Sequence, residues 1–225
     1  MRIAVLGTGP VGKSVAGKLA ELEHEVVVGT RDPEGTLNRT EPDTFGNPPF
    51  SAWLEQHPVV KVATLAEAAA GAELVVNATN GVGSIDALEA AGEENLAGKV
   101  LVDIANPLDF SQGMPPSLTV SNTDSLAEQI QHRFPEAKVV KALNTVNAYL
   151  MVDPKQLADG DHTTFVSGND SEAKATVGEL LRQLGWSDII DLGDISTARG
   201  SEMYLPLWVR MYSLGSPMFN IKVVR

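Results

Sequence analysis

RIAVLGTGPVGKSVAGKLAELEHEVVVGTR, residues 2 to 31, decides the fold. Arg2 to Leu6 is a short β-rich run that ends in glycines, and Val11, Val15, Leu19 and Leu22 then recur at helical spacing. Val26 to Val28 is apolar throughout, as a strand buried on both faces must be. The order is strand, turn, helix, strand. The turn, GTGPVG, sets Gly7, Gly9 and Gly12 in GxGxxG register. In that pattern the first glycine permits the tight turn, the second lets a pyrophosphate approach the backbone, and the third lets helix and strand pack closely. The free N–H groups of a helix beginning near Pro10 would face the phosphates. Gly7, Thr8, Gly9, Pro10, Val11 and Gly12 are therefore candidate contacts to a dinucleotide.

The second strand carries the preference between dinucleotides. A site for NAD ends that strand in Asp or Glu, which accepts hydrogen bonds from the adenosine ribose. Here the position falls at Gly29 or Thr30, and Arg31 follows. A carboxylate would repel a 2′-phosphate, whereas a hydroxyl and a guanidinium both donate to it. Thr30 and Arg31 point to NADP. Asp32 is the competing reading: an acid displaced by two positions, a partner for Arg31, or the start of a turn with Pro33.

Further apolar runs at Val59 to Ala63, Leu74 to Ala78, Val100 to Ile104 and Val139 to Leu143 alternate with helical patterns at 64–70, 83–91 and 124–133. Alternation of this kind predicts crossovers and a parallel sheet, an α/β doubly wound Rossmann arrangement over residues 1–150. Beyond residue 150 the grammar changes. His162 to Ser167 and Ile189 to Asp191 read as strands, and Ser171 to Leu184 reads as a helix capped by Ser171. Ser196 to Leu214 reads as a helix interrupted by Pro206. Residues 151–225 are thus expected to form a small α+β C-terminal domain. Segment 32–58, with five prolines, is expected to be a long irregular loop.

Composition removes several chemistries. Without cysteine there is no disulfide, thiol nucleophile or thiolate metal site. The four histidines, His24, His57, His132 and His162, share no ligand-like spacing, so no metal is expected. A formal charge of -12 repels polyanions, which argues against a nucleic-acid partner. No apolar run reaches the roughly 20 residues of a membrane span, and Ile3 leads into the glycine turn rather than a cleavage site. A cytoplasmic protein is expected.

GTGPVG with VVVGTR, then NATNG (77–81), DIANPL (103–108), VVKALNT (139–145) and the terminal PMFNIKVVR resemble the NADPH-dependent coenzyme F420 reductase family, also called F420-dependent NADP oxidoreductases. The likeness spans almost the whole chain. It implies a Rossmann domain and a small C-terminal domain, with hydride passing directly between NADPH and the deazaflavin in the cleft between them. It implies a Ser/Thr-Arg pocket for the 2′-phosphate, matched by Thr30 and Arg31. The basic residue that members can carry a few positions later is not matched, since Gly35 and Thr36 occupy that region. The resemblance also assigns the strand ends Thr79, Asn80, Asn106, Pro107, Ala142 and Asn144 to the nicotinamide and its ribose. Lys141, inside a strand, is expected to point away or to pair an acid.

The expected activity is hydride transfer between NADPH and coenzyme F420, or another flavin-like acceptor, as second substrate. No acid/base pair stands out, which suits an acceptor ring that carries its own electronics. The alternatives are a reductase of a small carbonyl or imine and a redox sensor that holds NADP without turnover. On a helix over 196–214, Met203, Leu207 and Met211 share one stripe and Tyr204, Trp208 and Tyr212 a neighbouring one. So broad an apolar band predicts a homodimer; the competing readings are that both stripes are core or that one lines the substrate cleft.

Overall fold

The structure is a computed structural model and describes residues 1–42 and 46–225. Its first half contains β1 (Arg2–Leu6), α1 (Pro10–Glu21), β2 (Glu25–Thr30), α2 (Pro33–Leu37), α3 (Phe50–Glu55), β3 (Lys61–Thr64), α4 (Leu65–Gly71), β4 (Leu74–Asn77), α5 (Ser84–Ala91) and α6 (Glu93–Leu96). There follow β5 (Val100–Asp103), a small hairpin of β6 (Leu108–Asp109) and β7 (Ser117–Leu118), α7 (Leu126–Arg133), β8 (Lys138–Ala142) and α8 (Ala148–Val152). β9 (Thr163–Gly168), α9 (Ser171–Gln183), β10 (Asp188–Asp191), α10 (Ala198–Met203) and α11 (Leu205–Ser213) complete the chain.

Eight strands form one sheet in the order β3-β2-β1-β4-β5-β8-β9-β10. The first six reproduce the doubly wound order, with its reversal between β1 and β4. Alternate residues of each central strand feed two cores. Ile3 and Val5 pack with α1, α8 and α9 on one face, while Ala4 and Leu6 pack with α4, α5 and α7 on the other. Burial on both faces is why these strands read as continuous apolar runs.

The strands read beyond residue 150 extend this same sheet. The strands of this sheet within residues 1–150 are all parallel, as expected, whereas β9 pairs antiparallel with β8 and β10 returns parallel to β9 after the α9 crossover. The cap of α9 is Asp170, whose carboxylate accepts the Ala173 amide at 2.8 Å, and not Ser171. Pro206 interrupts the last helical run as expected. It lies in the first turn of α11, where its missing N–H leaves no hydrogen bond unmade.

Segment 32–58 is more ordered than its prolines suggest, although residues 43–45 lie outside the described residues. Asp32 caps α2 by accepting the Gly35 amide at 2.9 Å. Phe50 opens α3 in the core, and Trp53 stacks on His57 at 4.3 Å between ring centroids. Among the described residues no helix is long and apolar enough to cross a membrane.

The centre of the sheet holds a buried cation. Asn77, Asp103 and Lys141 are aligned across β4, β5 and β8, since Asn77 pairs in register with Asp103 and Asp103 with Lys141. Lys141, 1% exposed, donates to Asp103 at 2.8 Å, to Glu202 of α10 at 2.7 Å and to the Ala105 carbonyl. All three ammonium protons are thereby taken. Glu202 also accepts the amides of Leu126 at 2.8 Å and Ala127 at 3.1 Å, which open α7 and have no partner within their own helix. Burial alone pushes the Lys141 ammonium down, but Asp103 and Glu202 outweigh it and hold the group above the ordinary lysine range.

Glu202→Gln leaves Lys141 paired with Asp103, but its new NH2 must face either the Leu126 amide or the Lys141 ammonium and the Ala127 amide, all of them donors. The variant should destabilise the protein by about 1.5–3 kcal/mol in urea unfolding at neutral pH, the range for a lost hydrogen bond to a charged group. Because the native value of Lys141 is raised, its contribution to stability is intact below the unfolded lysine value of about 10.4. It falls away only as pH climbs through the native value, so wild-type unfolding free energy should be insensitive to this group between pH 6 and 9.

Candidate active site

Three adjoining hollows lie at the carboxyl ends of the strands, around the switch point. The largest, a cleft of about 350 Å³, is lined by the glycine turn (Gly7, Thr8, Gly9), the tip of β2 (Gly29, Thr30, Arg31), Ala78 to Asn80 after β4, and residues from α4 and α5. Val11, Thr79, Asn80, Asn106 and Phe110 help line a second hollow of about 210 Å³, which shares Ala78, Thr79 and Asn80 with the first. The third shares Thr8 and Gly9 and brings in Lys13, Thr36 and Arg39.

The glycines perform three separate tasks. Gly7 has φ +123°, and a Cβ there would lie 2.5 Å from the Ala78 carbonyl oxygen. A Cβ on Gly12 would strike the Gly7 carbonyl, so this residue allows α1 to close on β1. Gly9 is different. Its φ of -75° suits any residue, and a Cβ would meet nothing within 4 Å. The space above Gly9 is unfilled by protein. It faces the start of α1, which has neither a capping side chain nor an acid in its first turn. By contrast α2, α4, α7 and α9 all carry side-chain caps. The orphan N–H groups of a twelve-residue helix are thus presented to an open hollow, an arrangement that favours an anion.

At the tip of β2, Thr30 and Thr36 hydroxyls lie 3.0 Å apart and Arg31 is exposed on the cleft. Asp32 is turned into its capping bond and does not line the cleft. A carboxylate that the sequence reading missed, Asp86 in the first turn of α5, does.

Of the residues assigned from sequence, Gly7, Thr8, Gly9, Thr30, Arg31, Thr79 and Asn80 meet in the first cleft, and Val11 and Asn106 join the second. Pro10 is exposed at the start of α1, and Gly12 is buried behind the turn. Pro107 is buried, and Ala142, 0% exposed, packs within the core instead of facing either hollow. Asn144 is buried as well. Its amide donates to Asn106 Oδ1 at 3.1 Å and to the Ser201 carbonyl at 3.1 Å, while Asn106 donates back to the Asn144 carbonyl at 2.9 Å. Asn144 therefore braces Asn106 against α10.

The polar floor beneath Thr79 was not anticipated. Asn77, Ser84 and Asp103 are buried there, and the Asn77 amide donates to both of the others. Their trace in the sequence is a single polar residue in each of the apolar runs LVVN and VLVD.

Comparison with known proteins places this architecture. Residues 2–107 match the family model described as NADP oxidoreductase, coenzyme F420-dependent. A crystal structure from Arthrobacter sp. FB24, provisionally named an F420-dependent NADP reductase, is 65% identical over 100% of both chains, with a TM-score of 0.96. The chain belongs to the F420-dependent NADP oxidoreductase family. The F420-dependent NADP reductase of Methanothermobacter marburgensis is 29% identical over 94% of this chain and 92% of its own. The metalloreductase STEAP3 of Rattus norvegicus is also 29% identical, over 92% of this chain. The chain spans only 38% of that protein's length.

The family glycine turn generates a two-part prediction. Gly9→Val should fold as the wild type does by circular dichroism and thermal unfolding, yet lose dinucleotide binding in calorimetry, because the branched side chain fills the space over the helix N-terminus. Gly7→Ala should instead lose about 1–3 kcal/mol of stability, the usual strain of an unsuitable backbone conformation.

Proposed function

We propose that this protein binds NADP(H) across the switch point and transfers hydride between it and coenzyme F420, or another flavin-like ring, held in the second hollow. The tip of β2 carries this reading. Arg31 is open to the cleft, Thr30 stands beside it, and the nearest acid in sequence, Asp32, is committed to capping α2. A 2′-phosphate there would meet donors, while an NAD ribose would find no acid in the usual place. The names of the family relatives support the same cofactor.

The second hollow supports the class of acceptor. None of its described lining residues is titratable, and Val11, Ile104, Leu108 and Phe110 supply an apolar wall. A carbonyl or imine needs a proton donor as hydride arrives, whereas a flavin-like ring accepts hydride through its own electronics. An anaerobic screen with NADPH against F420, free flavins, quinones and simple ketones tests this. Turnover with ketones and none with flavin-like rings would overturn the acceptor class.

The discrimination between cofactors rests on one guanidinium. Arg31→Ala should weaken NADPH binding about ten- to a hundredfold, since a hydrogen bond to a charged group contributes roughly 1.5–3 kcal/mol. NADH binding should barely move. Equal losses for both would remove Arg31 from the phosphate pocket.

The working unit is a homodimer built on α11. The aromatic stripe is partly covered by the chain's own tail: Trp208 stacks on Tyr212 at 5.3 Å, and Phe219 of the tail packs tilted against Trp208 at 5.4 Å between ring centroids. The other stripe, which begins at Met203 at the end of α10, is open to solvent: Met203, Leu207 and Met211 are 41%, 57% and 42% exposed. A second copy related by a two-fold axis is the commonest cover for such a face. Sedimentation at micromolar concentration should give a dimer for wild type and a monomer for Leu207→Glu. A monomeric wild type would refute it.

A further inference from the structure

The polar floor under the cleft does more than fill space. We infer that Asn77 and Asp103 are positioning residues that fix the polarity of Thr79, obliging its hydroxyl to accept a hydrogen bond from the bound ligand and never to donate one. The inference rests on the proposed NADP(H) reading for the identity of that ligand.

Asp103 Oδ2 takes a proton of Lys141 at 2.8 Å and its Oδ1 takes the backbone N–H of Ala105 at 3.2 Å, so both oxygens act as acceptors. Its Oδ1 lies 2.8 Å from the Asn77 amide group, which must therefore turn its NH2 toward Asp103. The opposite end agrees: Asn77 Oδ1 receives the Thr79 backbone N–H at 3.3 Å, so it must be the carbonyl oxygen. With its orientation fixed from both sides, Asn77 cannot flip without setting like against like twice.

Thr79 Oγ1 lies 2.6 Å from Asn77 Oδ1, and only the hydroxyl can supply the proton. The second amide proton of Asn77 goes to Ser84 Oγ at 3.2 Å. Ser84 Oγ is 2.8 Å from Thr79 Oγ1 and 3.2 Å from the Asn80 carbonyl, so its single proton is shared between those two acceptors. Thr79 gives its one proton inward to Asn77 whichever way Ser84 turns. It has none left for the cleft, toward which its hydroxyl can only accept. Asn80 beside it has the reverse character, because its Oδ1 accepts the Val82 amide at 3.2 Å and its Nδ2 is left to donate.

Thr79 and Asn80 line both the first cleft and the second hollow, so this acceptor and donor stand where the two meet. With the pyrophosphate over Gly9 and the 2′-phosphate at Arg31, as proposed above, the nicotinamide nucleoside would extend toward that junction. The matching chemistry is an O–H or N–H donor on that half, from a ribose hydroxyl or from the carboxamide.

Calorimetry with three ligands tests this: NADP+, its 3-acetylpyridine analogue, in which a methyl replaces the carboxamide NH2, and 2′,5′-ADP, which lacks the nicotinamide half. Thr79→Val should weaken NADP+ about three- to tenfold, the range for one neutral hydrogen bond, and leave 2′,5′-ADP unchanged. Thr79→Ser should restore wild-type binding. If the preference for NADP+ over the acetylpyridine analogue also vanishes, the donor is the carboxamide. If both dinucleotides weaken equally, it is a ribose hydroxyl.

Asn77→Ala should reproduce the Thr79→Val loss and add nothing in the double variant, because it acts through Thr79. Additive losses would overturn the positioning role. Should Asn77→Ala fail to fold, 15N-labelled wild type answers the same question: both Asn77 side-chain protons must exchange slowly, and free exchange would overturn the assignment. Thr79→Val with wild-type affinity for NADP+ would overturn the inference alone. Wild-type protein that binds neither NADP+ nor 2′,5′-ADP would overturn the nucleotide reading beneath it.

Discussion

A single ammonium group, buried among β5, β8 and α10, holds the two ends of the molecule in register. Lys141 is removed from water and survives there as a cation only because Asp103 and Glu202 flank it and the Ala105 carbonyl takes its third proton. An unpaired charge in that place would be prohibitively unfavourable. The constraint is therefore mutual. α10 must bring Glu202 to the sheet, and the start of α7 must lie against Glu202 to have its first amides satisfied. Hydrophobic contact alone would tolerate a helix that slides by a turn; three fixed hydrogen-bond directions on one nitrogen do not.

The same charge reaches the cleft through hydrogen bonds. Asp103 faces Lys141 with one oxygen and Asn77 with the other, and Asn77 in turn holds Thr79. The second brace, Asn144 to Asn106 and Ser201, ties the end of β5 to α10 at another point. The rim of the proposed nucleotide site is consequently built on groups buried in the sheet. The glycine turn needs no such support, because its shape follows from backbone geometry: Gly7 in a left-handed conformation and Gly12 pressed against it.

Most of the sheet was legible because strands buried on both faces leave uninterrupted apolar runs, and the helices between them keep their period. The glycine turn was legible because each glycine answers a steric demand that other residues cannot meet. Asp32 was ambiguous, since an acid after a strand tip can reach a ribose or cap a helix, and only the formation of α2 decides it. The direction of β9 was not legible, because a strand read singly carries no sign of which way its neighbour runs. Ala142 and Asn144 were assigned to the cleft from their place at a strand end, but which side chains face outward there depends on how the chain leaves the sheet. The polar floor was visible only as isolated Asn, Asp and Lys residues, and its meaning appeared once the register set them side by side.

The direct test of the account is where the hydride goes. NADPH carrying deuterium at C4 of the nicotinamide, in each stereospecific form, would be reacted anaerobically with coenzyme F420 in a single turnover, and the reduced acceptor analysed by mass spectrometry. One of the two labelled forms should deliver its deuterium to a ring carbon of the acceptor without dilution by solvent, because direct transfer passes the hydride between carbons that do not exchange with water. Reduced acceptor whose new carbon-bound hydrogen comes from water would contradict it.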